Sequence, residues 1–101
     1  MKLLIVTSVE EYSKDVYKLF KHSGISSFSG SQIEGFKNVP TLLKTSSWFP
    51  SEQGGTESSL YFSFEREEKI KELIKRIKEY NNNLDSDNPI RAIVIPIESY
   101  I

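Results

Sequence analysis

The fold of this chain is decided by residues 58–80, which read SSLYFSFEREEKIKELIKRIKEY. Apolar side chains first occupy every second position, at Leu60, Phe62 and Phe64. This alternation predicts a strand that ends at Phe64, with those three side chains in the core and Tyr61 on the other side. The apolar period then changes, so the strand is followed directly by a helix.

The helix is predicted from Glu65 to Tyr80, because apolar residues recur at intervals of three and four. Charged residues of both signs lie between them, which is typical of a solvated outer face. A single apolar stripe would therefore pack against a sheet. The stripe consists of Ile70, Leu73, Ile74, Ile77 and Tyr80.

The first part of the chain follows the same plan. A short apolar run predicts a first strand over Leu3–Ser8. Ser8 and Glu11 have the spacing of a capping box, in which each side chain accepts a hydrogen bond from the other residue's amide, so a helix is expected to begin there. Gly24 suits the position just past the end of that helix. The helix would bury Tyr12, Val16, Leu19 and Phe20.

Two further strands are predicted over Ser26–Phe36 and Ile90–Ile97. The element order is therefore βαββαβ, the ferredoxin-like arrangement of the α+β class. It predicts a four-stranded antiparallel sheet with two helices on one face. We expect one domain over residues 1–101, with a long loop over residues 37–57 between the second and third strands. A loop of this length inside a compact domain is uncommon and usually functional.

The first and last strands are apolar on both sides, which is more than helices on one face can cover. In the first strand, Leu3 and Ile5 alternate with Leu4 and Val6. Two-sided apolar strands usually indicate burial on both sides. We therefore expect a homo-oligomer whose sheets pack against one another. Partial cover by the long loop is the alternative.

Two short segments resemble the PII signal-transduction family, whose members are also called GlnB-like. Residues 33–36, Ile-Glu-Gly-Phe, lie where that family's second strand ends in a Gly-Phe-Gly motif and leads into a long recognition loop. Residues 93–98, Ile-Val-Ile-Pro-Ile-Glu, resemble its final strand. The resemblance implies a homotrimer with three sheets packed inward, acting as a non-enzymatic sensor or regulatory protein in signal transduction.

The resemblance also implies where a ligand would bind. Many members of the family bind an adenine nucleotide in clefts between subunits. Carried over to this sequence, the ligand-binding residues would be Gly35, Phe36 and Lys37 at the loop entrance. Arg91 lies where the family has a phosphate-contacting lysine at the start of the last strand. The long loop would contact a protein target, such as an enzyme or a transporter.

The turn before Arg91 departs from that family's pattern. The family's phosphate-binding turn is rich in glycine, whereas residues 82–90 contain none. Backbone without glycine does not readily wrap around a phosphate, and Asp85 and Asp87 would repel one. An adenine nucleotide is therefore implied by the resemblance and opposed by the turn.

The long loop contains the single tryptophan of the chain, Trp48, which is followed by Phe49. Aromatic side chains dominate binding hot spots, so these two residues are candidate anchors for a partner protein. Lys44, nearby in the loop, would meet an acidic surface. The alternative is that Trp48 folds back to cover apolar surface of its own subunit.

The composition disfavours several other classes of function. The 101 residues carry a net charge of −1, no cysteine and one histidine, His22. This charge gives no general attraction to nucleic acid. The strand ending at Phe64 also lacks the basic, glycine-containing consensus of RNA-recognition motifs. No catalytic motif is present, so we predict no enzymatic activity. The apolar run near Met1 is too short for a signal peptide or a membrane span, and we expect a cytoplasmic protein.

The runner-up is a trimer similar to the CutA proteins, which share the trimeric plan and are linked to divalent metals. With no cysteine and one histidine, a soft-metal site inside one subunit is disfavoured, and we assign no metal ligand. Asp85, Asp87 and Asn88 offer oxygen ligands without the spacing of an EF-hand loop, and they more simply form a turn.

Overall fold

A computed structural model describes residues 1–36 and 56–101 of the chain. The predicted order βαββαβ is confirmed. One extra turn of 3₁₀ helix precedes the first α-helix. In chain order, the elements are β1 (Lys2–Val9), the 3₁₀ turn (Glu10–Tyr12), α1 (Ser13–His22), β2 (Ser29–Gly35), β3 (Thr56–Glu65), α2 (Glu67–Asn82) and β4 (Arg91–Pro96).

The strands form one antiparallel sheet in the order β2-β3-β1-β4. β1 is central, because it pairs with β3 along one side and with β4 along the other. Both helices pack over one face of this sheet. The chain therefore has the ferredoxin-like α+β fold that its element order predicts.

The hydrophobic core lies between the helices and that face of the sheet. β1 contributes Leu4 and Val6, both fully buried. The predicted helix stripes are confirmed, since Val16 and Phe20 of α1 are buried and the apolar residues of α2 meet them. From the rest of the chain the core includes Ile25, Tyr61, Ile70, Leu73, Ile77 and Ile90, with Leu19, Ile74, Tyr80, Ala92 and Val94 packed against it.

The prediction for the faces of β3 was wrong. Tyr61 is 2% exposed and lies in the core, whereas Phe62 and Phe64 project from the opposite face of the sheet. The register explains the inversion, because Tyr61 stands opposite the core residue Val6 of β1. Alternation identifies residues that share a face, but it does not identify the face that the helices cover.

The predicted capping box was also wrong. Ser8 remains in β1, opposite Ser59 of β3, and its hydroxyl is buried with no hydrogen-bond partner among the described residues. Glu10 turns instead toward the sheet, where its carboxylate accepts a hydrogen bond from Ser59 Oγ at 2.7 Å. The chain therefore leaves β1 through the 3₁₀ turn, and α1 begins five residues after Ser8.

The end of α1 follows the prediction. Gly24 has φ +79°, a left-handed conformation that glycine adopts without strain. Its amide donates to the carbonyl of Lys21, and the amide of Ile25 donates to that of Phe20. These two bonds form the Schellman motif. They direct the chain away from the helix and place Ile25 in the core.

Apart from the start of α1, element boundaries shift by up to three residues from the predicted ones. The second strand begins at Ser29, because Ser26–Phe28 precede the ladder with β3. β3 begins at Thr56 rather than Ser58, so the last two residues of the predicted loop belong to this strand, and α2 begins two residues later than expected and ends at Asn82. Last, β4 occupies Arg91–Pro96 rather than Ile90–Ile97.

The two helices are joined by a hydrogen bond as well as by apolar contact. The Tyr80 hydroxyl donates to Oδ2 of Asp15 at 2.6 Å. Burial of the phenol, together with this bond, raises the pKa of Tyr80 well above its usual range. The phenol therefore remains a donor to the carboxylate at any ordinary pH.

Within the described residues, no helix is long and apolar enough to cross a membrane.

Asn81 fixes the connection between α2 and β4. Its side-chain amide donates to the carbonyl of Ile90 at 2.9 Å, and its Oδ1 accepts from the Ile90 amide at 2.9 Å. Ile90 is buried, so these two backbone groups have little access to water. A single side chain thus closes the turn and sets the point at which β4 begins.

We expect Asn81→Ala to lower the free energy of unfolding by roughly 1–3 kcal/mol, because it leaves two buried backbone groups unpaired. Urea denaturation measures the change. Asn83→Ala is the matched control, since its amide makes one exposed bond to the carbonyl of Glu79. Equal losses of stability in the two variants would show that the pair of hydrogen bonds between Asn81 and Ile90, which we call the Asn81 clamp, does not stabilise the turn.

Candidate functional site

The face of the sheet that no described helix covers is strongly apolar. We call it the open face. Phe62 is 38% exposed, Phe64 56%, Ile93 38% and Ile95 40%. The rings of Phe62 and Phe64 contact each other edge to face, with centroids 6.1 Å apart.

Strand register arranges these side chains in rows across three strands. Leu3 stands between Phe64 of β3 and Ile95 of β4, and Ile5 stands between Phe62 and Ile93. The two rows are adjacent and contain only apolar side chains. Large contiguous apolar patches on soluble proteins usually mark an interface.

One charged residue lies at the margin of this surface. A third row continues the pattern with Leu60, Thr7 and Arg91. Arg91 shares its face with Ile93 and is half-buried. By the alternation of the described strands, Arg91 is the only ionisable side chain on the open face. A cation beside an apolar surface is suited to an anionic ligand or partner group.

The predicted ligand residues lie at one end of the sheet but at opposite edges. Gly35 ends β2 and pairs with Thr56, whereas Arg91 begins β4 and pairs with Thr7. Neighbouring strands lie about 4.8 Å apart, so the β2 and β4 edges are separated by ~14 Å. Gly35 is buried and Phe36 is 45% exposed. One chain therefore does not bring these residues together with Arg91.

Several predicted site residues fall outside the described part of the chain. They are Lys37 at the predicted loop entrance and the three candidate partner contacts Lys44, Trp48 and Phe49. Of the loop predicted over residues 37–57, residues 37–55 likewise lie outside it.

The turn that precedes Arg91 is organised without glycine. The amide of Asn88 donates to Oγ of Ser86, and Asn81 clamps Ile90 as described above. Asp85 and Asp87 are exposed. In the residues that the structure describes, no group of three or more His, Asp or Glu side chains is placed to hold a metal ion. His22 is exposed at the last position of α1.

Two side-chain hydrogen-bond contacts near the candidate sites were missed by sequence reasoning. The Asn81 clamp joins residues nine positions apart, and the Glu10–Ser59 bond joins residues 49 apart. A polar residue at a helix end is a weak signal for the first. Nothing in the sequence pairs Glu10 with Ser59 before the fold is known.

Solved structures with the same arrangement include a DUF3240 family protein from Shewanella baltica OS155. It superimposes with a TM-score of 0.66 at 18% sequence identity, over 98% of this chain and 91% of its own. A second is CPII from Thiomonas intermedia K12, a nitrogen regulatory PII-like protein bound to ADP, AMP and bicarbonate. Its TM-score is 0.62 at 11% identity, over 99% of this chain and 94% of its own. The chain has a PII-like fold.

The resemblance carried by residues 33–36 and 93–98 is therefore confirmed at the level of the fold. Both identities are low, so the fold is the feature that these two structures share with the chain. No protein-family profile and no curated protein sequence matches it.

Proposed function

We propose that the chain is a small non-enzymatic regulatory protein that works as a PII-like homotrimer. The observation that carries this proposal is the open face, whose apolar rows occupy the side of the sheet opposite the helices. In the resemblance to PII proteins this is the side on which three sheets pack inward. The fold shared with CPII, itself described as nitrogen regulatory, supports the same assignment.

Association through the open face has a clear energetic basis. Full burial of one Phe, Leu or Ile side chain is worth about 1.5–3 kcal/mol relative to exposure. Each subunit contributes Leu3, Ile5, Phe62, Phe64 and two isoleucines of β4. A part of that energy offsets the loss of translational and rotational freedom on assembly. The remainder favours the oligomer.

A ligand site between subunits would explain the placement of the predicted ligand residues. Gly35 and Phe36 lie at the β2 edge and Arg91 at the β4 edge, at the same end of the sheet. Trimer formation would bring the β2 edge of one subunit near the β4 edge of the next. We propose that Arg91 there contacts the phosphate of an adenine nucleotide, and that Lys37 adds a second cation.

Residues 37–55 would be the element that reports on this ligand. They follow Phe36 directly, at the proposed cleft. We propose that Trp48 and Phe49 anchor a protein target, with Lys44 facing an acidic group on it. The target would be an enzyme or a transporter whose activity the loop modulates.

Calorimetric titration with ADP and ATP tests the ligand proposal. We expect binding that Arg91→Ala weakens about tenfold, because a charge-assisted contact to phosphate is lost. Arg66→Ala is the control, since Arg66 is exposed and lies at the other end of the sheet. If neither nucleotide binds detectably and a divalent metal binds tightly, the proposal is overturned in favour of a CutA-like trimer. An equal loss in both variants would also overturn the role of Arg91.

A further inference from the structure

A second pocket lies within a single subunit, on the helix-covered side of the sheet. It has a volume of about 270 Å³ and opens over the β2 and β3 strands, beside the first turns of α1. We call it the Glu10 pocket. Its size suits a ligand smaller than a typical drug molecule. Its lining includes Glu10, Tyr17, Phe28, Gln32 and Tyr61.

The charge in the Glu10 pocket is negative. Glu10 is the only ionised side chain among the described residues that line it, and Lys, Arg and His are absent from that lining. The carboxylate is held by Ser59, whose Oγ donates to Oε2 at 2.7 Å. Oε1 makes no hydrogen bond within the described residues. The pocket thus presents a positioned anion with one oxygen available to a ligand.

Three aromatic rings form another wall. The centroids of Tyr17 and Phe28 are 5.8 Å apart, those of Tyr17 and Tyr61 are 5.8 Å apart, and those of Phe28 and Tyr61 are 6.1 Å apart. A cation is attracted to an aromatic ring within about 6 Å of its centroid. The attraction acts over the face of a ring, and the close spacing of the three centroids allows a small cation over one face to approach a second ring.

The Tyr61 hydroxyl supplies an independent indication of a ligand. It is buried and makes no hydrogen bond within the usual geometric limits among the described residues, although the Tyr17 phenol beside it interacts with it in part through hydrogen bonding. Leaving a buried hydroxyl unpaired costs free energy, and native proteins usually pair such groups. The neighbouring Tyr61 side chain raises the pKa of Tyr17, with smaller contributions from burial and from Glu10. The raised pKa keeps the Tyr17 phenol neutral at ordinary pH.

Gly30 keeps the pocket open on the β2 side. It stands directly opposite Tyr61 in the sheet. A Cβ at this position would lie 3.1 Å from Cδ1 and 3.3 Å from Cε1 of the Tyr61 ring. A larger residue would require the ring to shift by a few tenths of an ångström, so the glycine allows the close approach that forms the present wall of the pocket.

We propose that the Glu10 pocket binds a small organic cation of the alkylammonium class. The Glu10 carboxylate would neutralise its charge, the rings of Tyr17, Phe28 and Tyr61 would surround its alkyl groups, and the Tyr61 hydroxyl would meet a polar group on the ligand. An anion is disfavoured because Glu10 would repel it. This site goes beyond the proposed function, because it lies within one chain and needs no neighbouring subunit.

Choline is the probe for this proposal, and its neutral carbon analogue, in which carbon replaces the nitrogen, is the matched control ligand. Binding is followed by nuclear magnetic resonance shifts of Phe28, Gln32 and Tyr61. We expect saturable binding of choline, with the neutral analogue at least about fivefold weaker. The proposal is overturned if choline does not saturate, or if both ligands bind equally.

Variants then test the residues. We expect Glu10→Gln to weaken choline binding about fivefold while it keeps an acceptor for Ser59. Glu11→Gln removes the same charge from the next, exposed residue and is expected to leave binding unchanged. Equal losses in the two variants would show a diffuse charge effect and would overturn the site.

Tyr61→Phe separates a binding role from a structural one. Because the hydroxyl makes no hydrogen bond within the usual geometric limits among the described residues, its removal is expected to leave the stability of the protein equal or higher while choline affinity falls about threefold. A fall in stability without a change in affinity would contradict the assignment. The monomeric variant described in the Discussion is expected to keep choline binding, so this proposal and the oligomer proposal fail independently.

Discussion

Phe64→Asp is expected to convert the oligomer into folded single chains. Phe64 is 56% exposed in one subunit, so its replacement removes little from the subunit's own core. In the assembly, the new carboxylate would be buried against apolar rows of neighbouring sheets, which costs several kcal/mol per ion. That penalty recurs in every subunit of a symmetric assembly. Association should therefore fail while the fold persists.

Sedimentation velocity measures the assembly, and circular dichroism checks that the subunit remains folded. The matched control is Lys75→Gln, which also makes the net charge one unit more negative but lies on the exposed side of α2. We expect the control to sediment like the unmodified chain. If Phe64→Asp also assembles normally, the open face is not the interface.

Phe20→Ala is expected to have the largest effect on the stability of the subunit. Phe20 is 1% exposed and lies at the centre of an aromatic cluster, with ring centroids 4.6 Å from Phe28 and 5.8 Å from Tyr61. Truncation of a buried Phe leaves a cavity and costs about 3–5 kcal/mol. Single domains have only about 5–15 kcal/mol in total. The variant should be close to unfolding at moderate temperature.

Urea denaturation in the Phe64→Asp background measures this loss without a contribution from subunit association. Phe36→Ala is the matched control, because it makes the same change at an exposed position beyond β2. We expect the control to cost less than about 1 kcal/mol. Similar losses in both variants would contradict the described core.

The element order was predictable because each helix and strand has a strong local signal. The apolar stripe of α2 predicted a helix with one buried side, and the glycine after α1 predicted where that helix ends. The faces of β3 were not predictable in the same way. Phe62 and Phe64 are large apolar residues of that strand, yet the helices cover Tyr61 and two serines instead.

The reason is that apolar side chains occur both in the core and on the open face, so apolar character alone does not identify the buried side of the strand. Ser59 and Ser63 are buried because each hydroxyl has a long-range partner, Glu10 in one case and the carbonyl of Ser27 in the other. Such partners are set by the folded chain and leave no local pattern. Ser8 also departs from its local pattern, because the continuation of β1 overrides its capping spacing.

The candidate site likewise has one part that a local sequence pattern predicts and one part that it does not. The two-sided apolar pattern of β1 and β4 predicted an open apolar face, and the structure places Ile93 and Ile95 on it. The residues assigned by resemblance, Gly35, Phe36 and Arg91, lie at one end of the sheet but not together. In the proposed trimer, their convergence would depend on a neighbouring subunit, which the sequence of one chain does not encode locally.

The most direct test of the account is the mass of the unmodified chain in solution, measured by sedimentation equilibrium over a range of micromolar concentrations. The open face predicts a stable assembly with three times the 11.6 kDa mass of one chain. A stable monomer at every concentration would contradict the account, since the rows that contain Phe62 and Phe64 would then remain exposed to water.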